Sequence, residues 1–371
     1  MPRKVLDLFS GTGWGVACQR LGLEEFGVEI MPEAVETREA NGMRTIYNDV
    51  WDGLIGDIPL PEYDILIASP PCQTFSLAGH GTGRDALDQV LAAIDSGAYK
   101  DARELYELGE NTDMRTALVL TPLAHVWRDR PMYVLLEQVP PVLPVWKACA
   151  IEMEAMGYSV WAGNMHAEQY GVPQTRKRAV LIARRDGVHA QPPEPTHSKY
   201  HQGNASMVDI GVQRWVSMSD ALGITGDLEF LSNDKFAHSA RRSIEHPAPT
   251  ITAGHDSGNR VIRKTGWGFK NRPAITVSNA VGRGLQGGSG GRQTIATAIK
   301  DGSFIPSPHG NDDSHAEVTR ITVSEAAVLQ SYPADFQWRG SKTKQFLQIG
   351  NAVPPLMAEA LLREVLNERK A

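Results

Sequence analysis

Apolar residues fall along the chain in short runs, several rich in β-branched side chains, parted by stretches where apolar positions recur at the three- and four-residue spacing of a helix. The runs at 5–9, 25–28, 44–47, 63–68, 131–136, 159–162 and 179–183 predict buried strands, and the stretches at 16–21, 32–41, 116–120 and 145–156 predict helices between them. Such alternation implies an α/β fold, a mostly parallel sheet with helices on both faces. From about 186 to 316 the alternation stops. Glycine, serine, asparagine and proline rise there, and the sequence reads as short strands joined by turns. Regular patterning returns near Arg320 and ends in a helix over 356–368. The pattern divides the chain into a larger α/β body, 1–185 with 317–371 returning to it, and a smaller irregular β-rich domain, 186–316.

With 371 residues, 42% hydrophobic and 22% charged, the chain has the composition of an ordinary soluble protein with a large core. No apolar run approaches the length of a membrane span, and Met1-Pro2-Arg3-Lys4 leads into a strand without a signal-peptide core, so a cytoplasmic location is expected. Cys18, Cys72 and Cys149 are far apart and form no C-x-x-C pair, which argues against a disulfide framework and against a zinc site. Net charge of −6 looks wrong for a protein that binds nucleic acid. Its distribution changes the picture: residues 174–300 hold 18 Lys and Arg against 9 Asp and Glu, an excess of +9, leaving −15 on the remainder. That asymmetry suggests a polyanion bound on one side only.

Candidate chemistry gathers just past the predicted strand ends, where open α/β sheets hold their ligands. Ser10-Gly11-Thr12-Gly13 is a tight turn into a helix, with glycines that let backbone N–H groups approach a ligand. Glu29, closing the second strand, is placed for ribose hydroxyls, and Asp49, closing the third, for an adenine amino group; each could equally be a solvated carboxylate. Pro70 and Pro71 stiffen the exit from the 63–68 strand, so Cys72 is either an aimed thiol or a buried small hydrophobe. The polar residues after it suggest a loop that closes over a substrate. Residues 80–113 read as an acidic, solvated helical hairpin inserted behind that loop. Glu137 ends the next strand, partly desolvated and placed to give a proton, or else is a salt-bridged carboxylate. Arg176 and Arg178 alternate on an extended segment and should face one site together. The Gly-rich loop at 281–288 carries Arg283 and is suited to a DNA groove, or is a plain β-turn.

Taken together these segments resemble the DNA cytosine-5 methyltransferases. Asp7-Leu8-Phe9-Ser10-Gly11-Thr12-Gly13 is similar to that family's S-adenosyl-L-methionine (AdoMet) turn, and Pro71-Cys72-Gln73 to its nucleophile motif. Glu137-Gln138-Val139 stands where the family has Glu-Asn-Val, Gln174-Thr175-Arg176-Lys177-Arg178 resembles its Gln-x-Arg-x-Arg element, and Gly350-Asn351-Ala352-Val353-Pro354 its closing motif. The resemblance implies an AdoMet-dependent, Rossmann-like catalytic domain with a target-recognition domain at 186–316. It implies that Phe9, Gly11, Gly13, Glu29, Ile30, Asp49, Pro71, Asn351 and Val353 hold AdoMet, with no metal. Cys72 would be the nucleophile, Glu137 the acid at the base, and Arg176 and Arg178 the groups steadying a flipped cytosine. Gln73, Ser76, Gln174 and Arg283 would touch double-stranded DNA. A monomer is expected, with a separately acting restriction endonuclease as a possible partner; RNA as substrate and a catalytically silent DNA reader are the alternatives. Gln138 in place of asparagine is the departure, and it bears on how the Glu137 loop is anchored.

Overall fold

The computed structural model describes residues 2–56, 59–71, 82–201, 204, 206–224, 228–231, 241–251, 261–264 and 318–367. Seven strands, β1 (Lys4–Leu8), β2 (Glu24–Val28), β3 (Arg44–Tyr47), β4 (Ile65–Ala68), β5 (Tyr133–Gln138), β6 (Ser159–His166) and β7 (Lys177–Arg184), form one sheet in the order β3-β2-β1-β4-β5-β7-β6. The first five are parallel; β7 runs antiparallel to both β5 and β6. Central strands are covered on both faces, which is why β4 is buried at every position and shows no polar alternation. Strand order reverses between β1 and β4, and their carboxyl ends diverge there into a crevice.

Side-chain parity sends Val5, Ile65, Ile67, Leu135 and Val180 to one face, against α1 (Gly13–Arg20) and the last helix. Leu6, Leu66, Leu136 and Leu181 go to the other face, against α7 (Thr121–Asp129) and α8 (Leu143–Ala155). The wholly buried Cys18 and Cys149 sit in these two cores, one in each. On the sheet's flank lie α2 (Pro32–Ala40) and α3 (Val50–Ile55).

The insertion forms α4 (Thr82–Ser96) and α5 (Ala102–Asn111), and α6 (Met114–Leu118) follows it. Its acids Glu104, Glu107 and Glu110 are exposed, as expected, but it is not a solvated hairpin throughout. Val90, Ile94, Tyr99 and Leu105 are buried in the main core, and the Tyr106 ring meets Trp51 edge-on at 5.1 Å. One face of each helix is therefore apolar and packed, so the charged face alone reaches solvent.

Beyond β7 the chain forms the short α9 (Met218–Leu222) and a second, antiparallel sheet. It contains β8 (Leu228–Leu231), β9 (Arg241–Ser243), β10 (Val261–Lys264) and β11 (Val318–Arg320), in the order β11-β10-β8-β9. After it come α10 (Val323–Leu329), α11 (Lys342–Asn351) and α12 (Pro355–Leu366). Gly350 and Asn351 are the last residues of α11, and the break before α12 is confined to 352–354. Among the described residues no helix is long and apolar enough to cross a membrane.

Candidate active site

On the cofactor side, the chain leaves β1 through Phe9 (φ 57°) and Gly11 (φ 45°). The left-handed conformation is easy for Gly11 and costly for Phe9, so the turn must be held by its surroundings. Glu29 does part of this: its two carboxylate oxygens accept from Gly11 N and from Met31 N, each at 2.8 Å. Each oxygen keeps lone pairs for a further donor such as a ribose hydroxyl.

Arg38 holds the turn from below. Its wholly buried guanidinium donates to Gly11 O (3.0 Å), Arg44 O (2.9 Å), Thr45 Oγ1 (3.0 Å) and Glu25 Oε1 (2.6 Å). Next to it lies Asp7, also wholly buried, with no donor to either carboxylate oxygen among the described residues. Burial first, and the charge of Glu25 second, push the Asp7 carboxyl well above the usual carboxylate range.

Gly13 opens α1 against the C-terminal segment. A Cβ built on Gly13 would sit 2.0 Å from the Val353 carbonyl oxygen, so only glycine lets the two backbones approach this closely. Thr12 Oγ1 and Tyr332 OH share a hydrogen bond of 2.7 Å, and Leu356 N donates to Ser331 Oγ at 3.1 Å, closing the C-terminal segment over the start of α1. Asp49 caps α3, accepting from Trp51 N at 3.1 Å, while Ile30 stands 70% exposed beside Glu29 and Asn351 is exposed at the end of α11. These groups suit an adenosine-bearing ligand. There is open space around the Cβ position of Gly11, acceptors wait at the ends of β2 and β3, and an exposed aliphatic side chain lies between them.

On the base side, Ser69 continues from β4 and accepts from Trp14 Nε1 at 3.0 Å. The Gln138 side-chain amide donates to the Pro70 carbonyl, and its oxygen accepts from Val139 N. One side chain thus ties the prolyl exit from β4 to the exit from β5. The additional methylene leaves the loop anchored. Cys72, Gln73, Ser76 and Arg283 lie outside the described residues. Pro71, half-buried, is the last described residue before the cysteine.

Glu137, the penultimate residue of β5, is buried, 3% exposed, and Arg178 Nε meets its Oε1 at 2.9 Å. Arg176 does not join them. Its guanidinium, 1% exposed, donates to Ile251 O (3.1 Å), Gly350 O (2.8 Å) and Ala352 O (3.0 Å). The expectation that both arginines share one site therefore fails, because two-residue alternation holds only inside a strand and β7 begins at Lys177. Gln174 likewise is turned inward. It accepts from Ile251 N (3.1 Å) and donates to Gln330 Oε1 (2.7 Å), and Gln330 donates on to Ile349 O (3.1 Å) and Ala352 O (2.9 Å). Arg38, Gln330, Tyr332 and Trp14 gave no sequence signal of their own, because each acts on a segment remote in the chain.

A family model described as C-5 cytosine-specific DNA methylase matches residues 3–93 and 108–367; the break falls within the insertion. The Type II methyltransferase M1.HphI of Haemophilus parahaemolyticus is 28% identical, the match covering 97% of this chain and 86% of that one. The Type II methyltransferase M.AplI of Arthrospira platensis is 27% identical, covering 97% and 85%. Among solved structures, the Entamoeba histolytica methyltransferase EhMeth superposes with a TM-score of 0.59 at 14% identity over the whole of both chains. A putative DNA modification methyltransferase from an Escherichia coli prophage gives 0.53 at 20% identity, covering 98% of this chain and 99% of that one. At these identities the structures speak for the fold.

Proposed function

Because the chain belongs to the C-5 cytosine-specific DNA methylase family, and so is a DNA (cytosine-5)-methyltransferase, we propose a division of labour among its residues. Cys72 is the nucleophile, Glu137 the acid at the base, and Arg178 the residue that fixes Glu137. AdoMet supplies the methyl group. Phe9, Gly11, Gly13, Glu29, Ile30, Asp49, Pro71, Asn351 and Val353 hold it at the crevice between β1 and β4.

Cytosine C5 is a poor nucleophile until a thiolate adds at C6, forming the Cys72–C6 bond and moving electron density to C5 and N3. A proton held by Glu137 at N3 stabilises that charge, in a site where burial strengthens the interaction. Once C5 carries the methyl group its proton passes to water, the C5–H electron pair re-forms the C5=C6 bond, and the C6–S bond breaks with its pair returning to sulfur as the thiolate. Duplex stacking hides C5 and C6, so the cytosine must be flipped out to meet these groups.

Arg176, Gln174 and Gln330 are positioning residues. They hold the 349–353 segment that meets Gly13, and so act on the cofactor side without touching the base. Gln73, Ser76 and Arg283 contact the duplex, and residues 186–316 supply target recognition. The enzyme acts as a cytoplasmic monomer within a restriction–modification setting, with an endonuclease acting separately; the Type II relatives support that setting.

One observation carries this reading: a buried glutamate at the end of β5, paired with Arg178 at 2.9 Å, beside a prolyl exit clamped by Gln138 just before the cysteine. The test is incubation with labelled AdoMet and duplexes carrying 5-fluorocytosine, which blocks loss of the C5 substituent. A labelled protein–DNA adduct that survives denaturing electrophoresis and disappears in Cys72→Ser is the expected result. Trapping on RNA but on no DNA duplex, or an adduct that persists in Cys72→Ser, would overturn it.

A further inference from the structure

A cleft of about 650 Å³ opens where β6 and β7 end, on the opposite side of the β7 terminus from the Glu137–Arg178 pair. Successive side chains of a strand point to opposite faces. Arg178 therefore turns to the glutamate while Lys177, exposed, turns into the cleft. Lys199 faces it from the segment that follows the main sheet. Neither ammonium group has a hydrogen bond or an ion pair among the described residues.

The carboxylates nearby are committed elsewhere. Glu168, 1% exposed, accepts from Arg176 N and lies 3.6 Å from His166. Asp209 accepts from His201 Nε2 (2.8 Å) and from Lys199 N (3.0 Å). Arg242 adds a third cation, donating to Thr175 Oγ1 and Pro247 O at 2.9 Å each and lying over the Tyr200 ring. Lys199 also stands on a stapled segment. Ser198 N donates to Gln213 O (2.7 Å) and Asp209 N to Ser198 Oγ (2.9 Å), so little chain entropy is lost when the lysine engages a ligand.

We propose that this cleft grips the phosphodiester backbone of the target duplex outside the base site, with Lys177 and Lys199 as its phosphate contacts. The inference rests on the proposed function, since the duplex is that enzyme's substrate. Two unpaired ammonium groups carried by different segments, one directly after a residue of the arginine network and one on a fixed loop, suit a charged chain laid across both better than a single small anion. The local excess of +9 over 174–300 points the same way.

The test compares wild type with the Lys177→Gln/Lys199→Gln double variant in duplex binding over a series of salt concentrations. Phosphate contacts predict an affinity loss that is equal across unrelated DNA sequences. The slope of log K against log salt should become shallower by about one for each lysine, and Lys177→Arg/Lys199→Arg should restore it. An unchanged slope, or a loss that depends on DNA sequence, would overturn the assignment. Adduct formation by wild type on 5-fluorocytosine duplex is the separate readout. Its absence defeats the proposed function, whereas an intact adduct with an unchanged slope defeats the cleft alone.

Discussion

Two buried arginines grip backbone around the site, Arg38 under the Gly11 turn and Arg176 close to the Glu137–Arg178 pair, yet the two are neutralised differently. Arg38 has its own carboxylate, Glu25 at 2.6 Å, and the pair stays below the Gly11 turn. Arg176 has three carbonyl oxygens, while the glutamate nearby, Glu137, is held by Arg178. On the first side the charges are consumed in building the turn. On the second, one arginine builds and its neighbour two residues on is left with a carboxylate at the mouth of the site. A cation is thus a candidate for chemistry only after its hydrogen bonds to backbone have been counted.

The strongest way to break this comparison is Glu137→Gln. Loss of the proton at N3 should lower kcat by about 10²–10⁴-fold while DNA affinity holds, as measured by single-turnover methylation and duplex binding. A kcat within a few-fold of wild type would remove Glu137 from the chemistry.

The two arginines should then separate. Arg176→Ala takes the side-chain donor from two buried carbonyl groups, Ile251 O and Gly350 O, while Ala352 O keeps Gln330, so unfolding free energy should fall by on the order of 3 kcal/mol, and AdoMet affinity should fall with it. Arg178→Ala should act mainly on kcat, with the smaller change in denaturation midpoint. Equal stability losses with equal kcat losses would erase the distinction. Partial rescue of AdoMet binding by Arg176→Lys, with kcat at saturating AdoMet preserved, would mark Arg176 as a positioning residue.

Gly13→Ala tests the seam between the sides. Its Cβ would lie 2.0 Å from Val353 O, so the C-terminal segment must move, and AdoMet affinity should weaken about tenfold. Calorimetric titration with AdoMet reads this directly, and an unchanged affinity would show that the close approach has no bearing on the cofactor.

The smallest effect is expected at Asp7. Its carboxyl is pushed up by burial and by Glu25, so the folded chain keeps a proton that the unfolded chain releases above about pH 4. Stability from this group is present at low pH and is lost as pH rises toward the folded value. Asp7→Asn removes that loss, so its advantage in melting temperature should be larger at pH 8 than at pH 5. An advantage that shrinks with rising pH would mean that Asp7 is ionised in the folded protein.

The strands were legible in the sequence because burial on both faces leaves runs such as Ile65–Ala68 wholly apolar. Gly11 and Gly13 were legible too, since a left-handed turn and a backbone contact each favour glycine. Arg176 was not. Its spacing from Arg178 suggested a shared face, but the start of β7 at Lys177 is fixed by pairing with His166, eleven residues away in the chain. The insertion was half legible: its charge was plain, while its burial depended on Trp51 and the core beneath it.

The sequence by itself determined the strand and helix alternation, the placement of candidate chemistry past strand ends, and the order of motifs that gave the family resemblance. These depend on local periodicity, turn conformation and residue type, all of which act within a few positions. Only the tertiary structure decided which charged side chains hold backbone and which stay at the site. That choice depends on carbonyl groups delivered from 251, 350 and 352, and hydrogen bonds across such separations exist only once the sheet and its C-terminal segment have closed.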